Sequence, residues 1–238
     1  MRWDTPPPFC LLGHRGAPAV APENTLAAFD AALAAGAVGF EFDVQLSADG
    51  VPVIIHDTTV DRTTNGRGAV ATHTAAALGR LDAGDGQAVP TLEALFARHG
   101  NRVLYNLELK SARWRDVAVA DAAAKCIRRH GLARQVLVSS FNPLALRRMA
   151  RQNVEGVQLG FLHYAPRPRR LPWLVRTGAV HPYFKLVTPA YMAWARRHGL
   201  QVNVWTVNAL DEAQRLQGLG VQTIITDDPA ALTSSTNG

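Results

Sequence analysis

Short apolar runs rich in β-branched residues alternate with helical patterns along almost the whole chain. Runs of this kind predict buried strands, and strands that alternate with helices favour a parallel sheet. Eight such strands close a (β/α)8 barrel, also called a TIM barrel, and the length of 238 residues suits one barrel domain over 1–238. The predicted strands lie at residues 9–12, 39–46, 103–109, 135–139, 157–162, 179–186, 201–207 and 221–226.

Helical patterns fill the intervals between these strands. The first, at 23–35, follows Pro22, a suitable first-turn residue, and stops before Gly36. An open doubly wound sheet is the alternative architecture, but no glycine-rich dinucleotide loop follows the first strand. Further helices are predicted at 91–99, 116–130, 143–152, 189–198 and 211–219.

The interval between the second and third long strands is too long for one crossover helix. It opens with a turn signal at 47–50, and residues 51–55 then form a run that can pair back as a hairpin. The polar stretch that follows carries no strong periodicity. We therefore predict a small insertion after the second strand, at about 57–88, lying over the mouth of the barrel.

Composition excludes several classes of protein. With 47% hydrophobic and 18% charged residues the chain is not disordered, and two cysteines cannot form a disulfide framework. No apolar run reaches the ~18–20 residues that span a bilayer, and the N-terminal residues have no signal-peptide pattern. We expect a cytoplasmic protein without stable membrane insertion.

The net charge of +6 suits an anionic partner. Most basic residues are scattered as pairs near predicted helix ends, and the one dense cluster is at 166–170. The surrounding loop, 163–173, is either solvated or directed at anionic head groups or a membrane surface. We expect a small-molecule substrate and no nucleic-acid partner, and the oligomeric state stays open.

Two of the predicted strands carry polar residues on one face and apolar residues on the other. The apolar faces suit the surrounding helices, so the polar faces point into the barrel. Carboxylates that converge there need a neutralising charge, and all-oxygen ligands favour Mg²⁺ or Ca²⁺. The inward polar residues are Glu41, Asp43, Asn106, Glu108 and Lys110.

Two of the eight histidines, His14 and His56, end predicted strands, at the edge where barrel enzymes place their active sites. Two imidazoles beside a metal ion can form a general acid–base pair. Arg15 offers a clamp for an anionic pair of oxygens. Together with Lys110 and the carboxylates, these residues indicate a metal-dependent phosphodiesterase.

Long segments of the chain resemble the glycerophosphodiester phosphodiesterases. The segments are HRGAPAVAPENTLAAF (14–29), EFDVQLSADGVPVIIHDTTVDRTTNG (41–66), NLELK (106–110), SSFNPLAL (139–146), NVWTVN (203–208) and IITDDP (224–229). The resemblance implies a TIM barrel with a small insertion after the second strand. It also implies hydrolysis of glycerophosphodiesters, such as glycerophosphocholine or glycerophosphoethanolamine, to sn-glycerol 3-phosphate and an alcohol with Mg²⁺ or Ca²⁺.

The resemblance also assigns expected roles, with Arg15 and Lys110 beside the phosphate. It leaves open which histidine is the acid, and whether a cyclic phosphate forms. The implied metal ligands are Glu41, Asp43 and Glu108. The implied catalytic residues are His14, His56, Arg15 and Lys110. The residues expected to orient or contact the substrate are Glu23, Asn24, Phe141 and Trp205.

Two other functions remain open at this point. A lysophospholipase D would act on lipids that keep one acyl chain, with 173–175 as a membrane-facing element. A ligand-binding barrel without catalysis is the other alternative, although the implied ligands and both histidines are present. The preferred alcohol head group is also open, because head-group choice depends on the loops after the strands.

Overall fold

The computed structural model describes residues 1–7, 9–111, 114–164 and 175–233. Eight parallel strands form a closed barrel, since β1 pairs with both β2 and β9. The ninth, β3, is antiparallel to β2 at its edge. The strands β1 to β9 are Cys10–His14, Gly39–Leu46, Pro52–Ile54, Leu104–Leu109, Val136–Ser140, Gln158–His163, Ala179–Pro182, Gln201–Val204 and Thr223–Thr226. The predicted TIM barrel is confirmed.

Helices follow most of the barrel strands. The first begins later than the predicted 23–35, because Thr25 and not Pro22 starts it: the Thr25 hydroxyl accepts a hydrogen bond from the amide of Ala28 at 3.2 Å. The other predicted helices begin and end within two residues of their predicted bounds, and two short helices, Ala75–Leu78 and Pro229–Thr233, were not predicted. The helices α1 to α8 are Leu26–Ala34, Ala75–Leu78, Leu92–His99, Ala118–His130, Pro143–Arg151, Pro189–Arg197, Leu210–Gly218 and Pro229–Thr233.

Two strands differ from their predicted bounds in ways that bear on the site. The strand predicted at 179–186 ends at Pro182, and a single 3₁₀ turn, Phe184–Leu186, follows it. Proline has no amide hydrogen to continue a ladder, so it is a natural end for the strand. Strand β1 instead continues to His14, because His14 stays in register with Glu41 on β2.

The barrel has an outer and an inner apolar core. In the outer core, Phe29 of α1 packs on Phe40 of β2 with ring centroids 4.6 Å apart. At the amino-terminal end of the strands, Trp3 fills the inside of the barrel against Leu12 and Leu104. The indole nitrogen of Trp3 donates to the carbonyl of Tyr105 at 3.1 Å. The N-terminal segment therefore closes the bottom of the barrel, a role that the sequence did not indicate.

The segment after β3 folds into a small structure with its own elements. Strands β2 and β3 form the predicted hairpin, with Val44 opposite Ile54. The chain that follows includes a 3₁₀ turn, Val70–Thr72, and the short helix α2. Its apolar side chains make a separate core of their own. The members of that core are Val53, Ile55, Val60, Val70, Leu78, Ala83 and Val89.

Two predictions concern surfaces and membranes. Residues 165–174 lie outside the described ranges. They include the basic loop 163–173 except for His163 and Tyr164. They also include Trp173 and Leu174 of the membrane-facing element predicted at 173–175. Over the ranges that the structure covers, none of the helices has the length and apolar character needed to cross a bilayer.

Candidate active site

A cavity of about 330 Å³ lies at the carboxyl ends of the barrel strands. It brings together most of the residues singled out from the sequence, which lie on six different strands or in the loops directly after them. Asp43, Glu23 and Asn24 stand behind its wall and contact the lining residues. The lining residues are His14, Arg15, Glu41, His56, Asn106, Glu108, Lys110, Phe141, Leu162, Tyr164, Trp205, Thr206 and Ile225.

Three buried carboxylates form the acidic part of the site. Glu41 and Asp43 lie on β2, and Glu108 lies opposite Asp43 on β4. One oxygen of each carboxylate lies within 4.8 Å of the others. Within the described ranges, Glu41 Oε2 is buried without a hydrogen-bond partner. An unsatisfied buried carboxylate oxygen in an all-oxygen cluster fits a hard divalent cation.

The charges of these carboxylates depend on burial and on their neighbours. Burial raises the pKa of Glu108 to about 7. Burial, together with Asp43 and Glu108, raises the pKa of Glu41 well above its usual range. Burial acts on Asp43 in the same direction, but the charges of Lys110 and Arg15 outweigh it and lower the pKa of Asp43. Without a bound cation the three carboxylates therefore do not all ionise at neutral pH, and a divalent ion would favour their ionised forms.

Lys110 and Arg15 are the cations of the cavity. The Lys110 ammonium lies 3.1 Å from Asp43 Oδ1 and 2.8 Å from Glu108 Oε1. Burial alone would lower the pKa of Lys110, but these two carboxylates raise it, so the ammonium stays charged at neutral pH. The Arg15 guanidinium lies 3.4 Å from Asp43 Oδ2 and donates to Glu23 Oε1 at 3.0 Å.

The backbone after β1 sets the position of Arg15. Arg15 and Asn24 both have left-handed backbone angles, with φ of 54° and 59°. The Asn24 amide donates to the Arg15 carbonyl at 2.9 Å, and its side-chain amide donates to Asp43 Oδ2 at 3.0 Å. Gly16 is required between them, because a Cβ there would lie 2.5 Å from the carbonyl carbon of Ala28. Strained backbone of this kind is typical of functional sites.

His14 is held by an aspartate from the far end of the chain. Its Nδ1 lies 2.6 Å from Asp227 Oδ1, and its Nε2 lies 3.8 Å from Glu41 Oε2. Asn208 in turn donates to Asp227 Oδ2 at 2.7 Å. An ionised aspartate at Nδ1 keeps the proton on that nitrogen and leaves the Nε2 lone pair facing the cavity. The sequence pointed to the IITDDP segment but not to this role for Asp227.

His56 has an aspartate partner as well. Its Nδ1 lies 2.6 Å from Asp57 Oδ1. The side-chain amide of Gln45 donates to the carbonyls of both residues, at 3.0 Å for His56 and 2.5 Å for Asp57, and so fixes this piece of backbone. Burial lowers the pKa of His56, although Asp43 partly offsets that effect. The two histidines are therefore held in the same way, each by an aspartate on Nδ1.

Arg62, from the insertion, connects these groups. Its Nε donates to Asp57 Oδ2 at 2.6 Å, and its terminal nitrogens donate to both oxygens of Glu23 at 2.9 and 2.8 Å. Hydrogen bonds from Arg62 are the main reason why the pKa of Asp57 lies well below its usual range. Neither Arg62 nor Asp57 was a site candidate from the sequence, although Asp57 directly follows His56.

Aromatic side chains form another wall of the cavity. Phe141 and Trp205 have ring centroids 5.5 Å apart, and Tyr164 lies 5.5 Å from Phe141 and 5.0 Å from Trp205. The Trp205 indole donates to the carbonyl of His181 at 2.9 Å, which fixes the ring. The structure therefore places both expected aromatic residues at the cavity and adds Tyr164.

A TIM barrel with buried carboxylates, two histidine–aspartate pairs and two cations at the carboxyl ends of its strands is typical of an enzyme that acts on a phosphorylated substrate. The glycerophosphoryl diester phosphodiesterase family matches residues 14–231. The chain belongs to this family, and it is an enzyme of the phosphodiesterase class.

Individual relatives agree over nearly the full length. A glycerophosphodiester phosphodiesterase of Caldanaerobacter subterraneus subsp. tengcongensis is 34% identical over 93% of this chain and 95% of its own. The structure of an Oleispira antarctica phosphodiesterase in complex with the product sn-glycerol-3-phosphate is similar with a TM-score of 0.87 and 29% identity, covering 96% of this chain and 97% of that one. A glycerophosphodiester phosphodiesterase structure from Agrobacterium tumefaciens gives a TM-score of 0.81 at 29% identity, covering 95% and 99%.

Proposed function

We propose that this enzyme hydrolyses glycerophosphodiesters, such as glycerophosphocholine or glycerophosphoethanolamine, to sn-glycerol 3-phosphate and the free alcohol, and that it needs Mg²⁺ or Ca²⁺. The observation that carries the proposal is one cavity that combines three buried carboxylates with two histidine–aspartate pairs. The Oleispira antarctica relative, which was solved with sn-glycerol-3-phosphate, supports this choice of product.

Glu41, Asp43 and Glu108 would hold the cation. When bound, a divalent ion supplies Lewis-acid polarisation of a phosphate oxygen. Arg15 and Lys110, both charged, stabilise the negative charge that builds up on the remaining phosphate oxygens as the new bond forms. Since both cations are already anchored on carboxylates, their positions are fixed before the substrate arrives.

His14 acts as the general base. Asp227 holds the proton on Nδ1, so Nε2 takes a proton from the attacking hydroxyl, either of water or of the glycerol 2-position. In the second case a cyclic phosphate forms, and water then opens it with the roles of the two histidines reversed. His56 acts as the general acid and delivers a proton from Nε2 to the departing alcohol oxygen. Burial disfavours the charged form of His56, but a phosphodiester anion bound beside it would favour that form.

The remaining residues position these groups. Glu23 acts through Arg15, and Asn24 acts through Asp43, since each is hydrogen-bonded to that partner. Phe141 and Trp205 offer an apolar surface to the glycerol or the alcohol. We further propose that residues 1–238 act as one domain, in which the insertion at about 57–88 contributes Arg62 to the site.

A comparison of substrates tests the proposal. Glycerophosphocholine and glycerophosphoethanolamine should both release glycerol 3-phosphate, and lysophosphatidylcholine should react more slowly. Faster turnover of lysophosphatidylcholine would replace the proposal with a lysophospholipase D. Binding of glycerophosphocholine without any product, in the presence of Mg²⁺ or Ca²⁺, would indicate a ligand-binding barrel.

A further inference from the structure

We propose that the protein has a second metal site on the outside of the barrel, where Glu93, Cys126 and His130 bind a borderline-soft divalent cation of the Zn²⁺ type. The site lies between helices α3 and α4 and shares no residue with the cavity at the strand ends. It is therefore independent of the function proposed above.

Helix geometry brings the three ligands together. Cys126 and His130 are four residues apart on α4, so they lie on the same face one turn apart. Glu93 stands in the first turn of α3 and reaches both: its Oε1 lies 2.9 Å from His130 Nε2, and its Oε2 lies 3.7 Å from Cys126 Sγ. One ligand atom from each residue lies within 4.8 Å of the other two.

These separations match what a tetrahedral ion requires. Zn²⁺ lies ~2.0–2.3 Å from its sulfur, nitrogen and oxygen ligands, so neighbouring ligand atoms are roughly 3.3–3.7 Å apart. Glu93 Oε2 and Cys126 Sγ, 3.7 Å apart, already have that spacing, whereas Glu93 Oε1 and His130 Nε2, 2.9 Å apart, would separate slightly around an ion. The Phe96 and His130 rings pack edge to face with centroids 5.6 Å apart, so the imidazole has an apolar neighbour on α3.

The donor set selects the kind of ion. Thiolate, imidazole and carboxylate are the usual zinc ligands, whereas the carboxylates inside the barrel are the oxygen donors that Mg²⁺ and Ca²⁺ prefer. Cys126 is buried, and a metal ion at this site would bind the thiolate form of its side chain.

The surroundings leave room for a further ligand. A cavity of about 330 Å³ adjoins Glu93 and Cys126, so water can complete the coordination.

Two cations near the site oppose the binding of a metal ion: Lys125 lines this cavity, and Arg129 pairs with Glu93 Oε2 at 2.8 Å. The Arg129 side chain is 58% exposed, and exposed ion pairs of this kind contribute little to stability, so Arg129 can turn away when an ion binds.

Cobalt(II) provides a selective probe, because a Co²⁺–thiolate bond gives a charge-transfer absorption that oxygen ligands do not. The purified full chain is titrated with Co²⁺ in the presence of excess Mg²⁺, which occupies all-oxygen sites. We expect one thiolate-bound Co²⁺ per chain. Cys126→Ser should abolish the band, and His130→Gln should weaken Co²⁺ binding by at least about tenfold.

Cys10→Ser is the matched control, since Cys10 is the other thiol and is buried inside the barrel. It should keep the band. Zn²⁺ should raise the thermal unfolding midpoint of the wild type and of Cys10→Ser but not that of Cys126→Ser. Without metal, Cys126→Ser should have the same midpoint as the wild type, which would show that the variant folds. A wild type without a thiolate band, or a band that persists in Cys126→Ser, would overturn the proposal whether or not the chain cleaves glycerophosphodiesters.

Discussion

Arg62 binds both carboxylate oxygens of Glu23, at 2.9 and 2.8 Å, although the two residues are 39 positions apart. The same guanidinium binds Asp57, the partner of His56, and Glu23 in turn accepts a hydrogen bond from Arg15. One side chain of the insertion therefore braces the partners of two candidate catalytic residues. Removing a group that orients a site residue typically costs about 10–100-fold in activity.

Replacing Arg62 tests that relationship. Arg62→Gln keeps a polar group but removes the charge and the paired contacts, so we expect kcat to fall about 10–100-fold. Arg67→Gln is the matched control, because Arg67 lies in the same insertion, is 84% exposed and is paired with Asp61 at the long distance of 3.7 Å. Steady-state kinetics on glycerophosphocholine measures both variants. A kcat for Arg62→Gln equal to that of Arg67→Gln would disprove the positioning role.

The acid and base roles of the two histidines can be assigned with substrates that carry different leaving groups. On glycerophosphocholine, His14→Ala and His56→Ala should each lower kcat by at least ~10²-fold. A p-nitrophenyl phosphodiester has a leaving group that needs no proton, so His56→Ala should recover most of its activity there while His14→Ala should not. Recovery of His14→Ala instead would exchange the acid and base roles. If neither substitution affects turnover of glycerophosphocholine, the two-histidine mechanism is wrong.

Trp3 is predicted to be a main contributor to stability. It is 1% exposed and fills the bottom of the barrel, whereas Trp114 is 60% exposed. Replacing a buried tryptophan by alanine usually costs ~3–5 kcal/mol, and surface substitutions usually cost within ~0.5 kcal/mol. Urea unfolding should therefore show a large loss of free energy for Trp3→Ala and almost none for Trp114→Ala. Equal unfolding midpoints for the two variants would contradict the role given to Trp3.

His181 makes stability depend on pH. It is fully buried inside the barrel, where its Nε2 accepts a hydrogen bond from the Asn203 amide at 3.1 Å. Burial, with a smaller effect of His163, lowers the pKa of His181 from 6.5 to about 3. Below pH ~6.5 the unfolded chain thus binds a proton that the folded chain does not, so stability falls as the pH falls.

The free energy of unfolding should fall by about 2 kcal/mol between neutral pH and pH ~5. Urea unfolding at both pH values, in the wild type and in His181→Gln, measures this loss. The variant should lose that part of the pH dependence, whereas His198→Gln, which replaces an exposed histidine, should keep it. An unchanged pH dependence in His181→Gln would show that its imidazole is not held neutral.

The barrel and its inward carboxylates could be predicted because they depend on local periodicity. Alternation along a strand fixes that Glu41 and Asp43 share a face, and the register of parallel strands then brings Glu108 beside Asp43. The start of α1 was less predictable, since Pro22 and Thr25 are both good initiating residues and the packing of the whole loop decides between them.

The partners of the site residues depend on long-range structure. Asp227 lies 213 positions after His14, and the two meet only because β9 closes the barrel against β1. Arg62 lies in a polar segment without periodicity, so its direction depends on how the insertion packs on its own small core. For His56 the sequence does carry a signal, because its partner Asp57 is the next residue in the chain.

The central claim is that the buried carboxylates hold a metal ion needed for cleavage of glycerophosphodiesters. Release of glycerol 3-phosphate from glycerophosphocholine should stop with EDTA and return when Mg²⁺ or Ca²⁺ is restored. Glu41→Gln should fail to recover at the metal concentration that restores the wild type. Full activity in EDTA, or no product with either metal, would contradict the account.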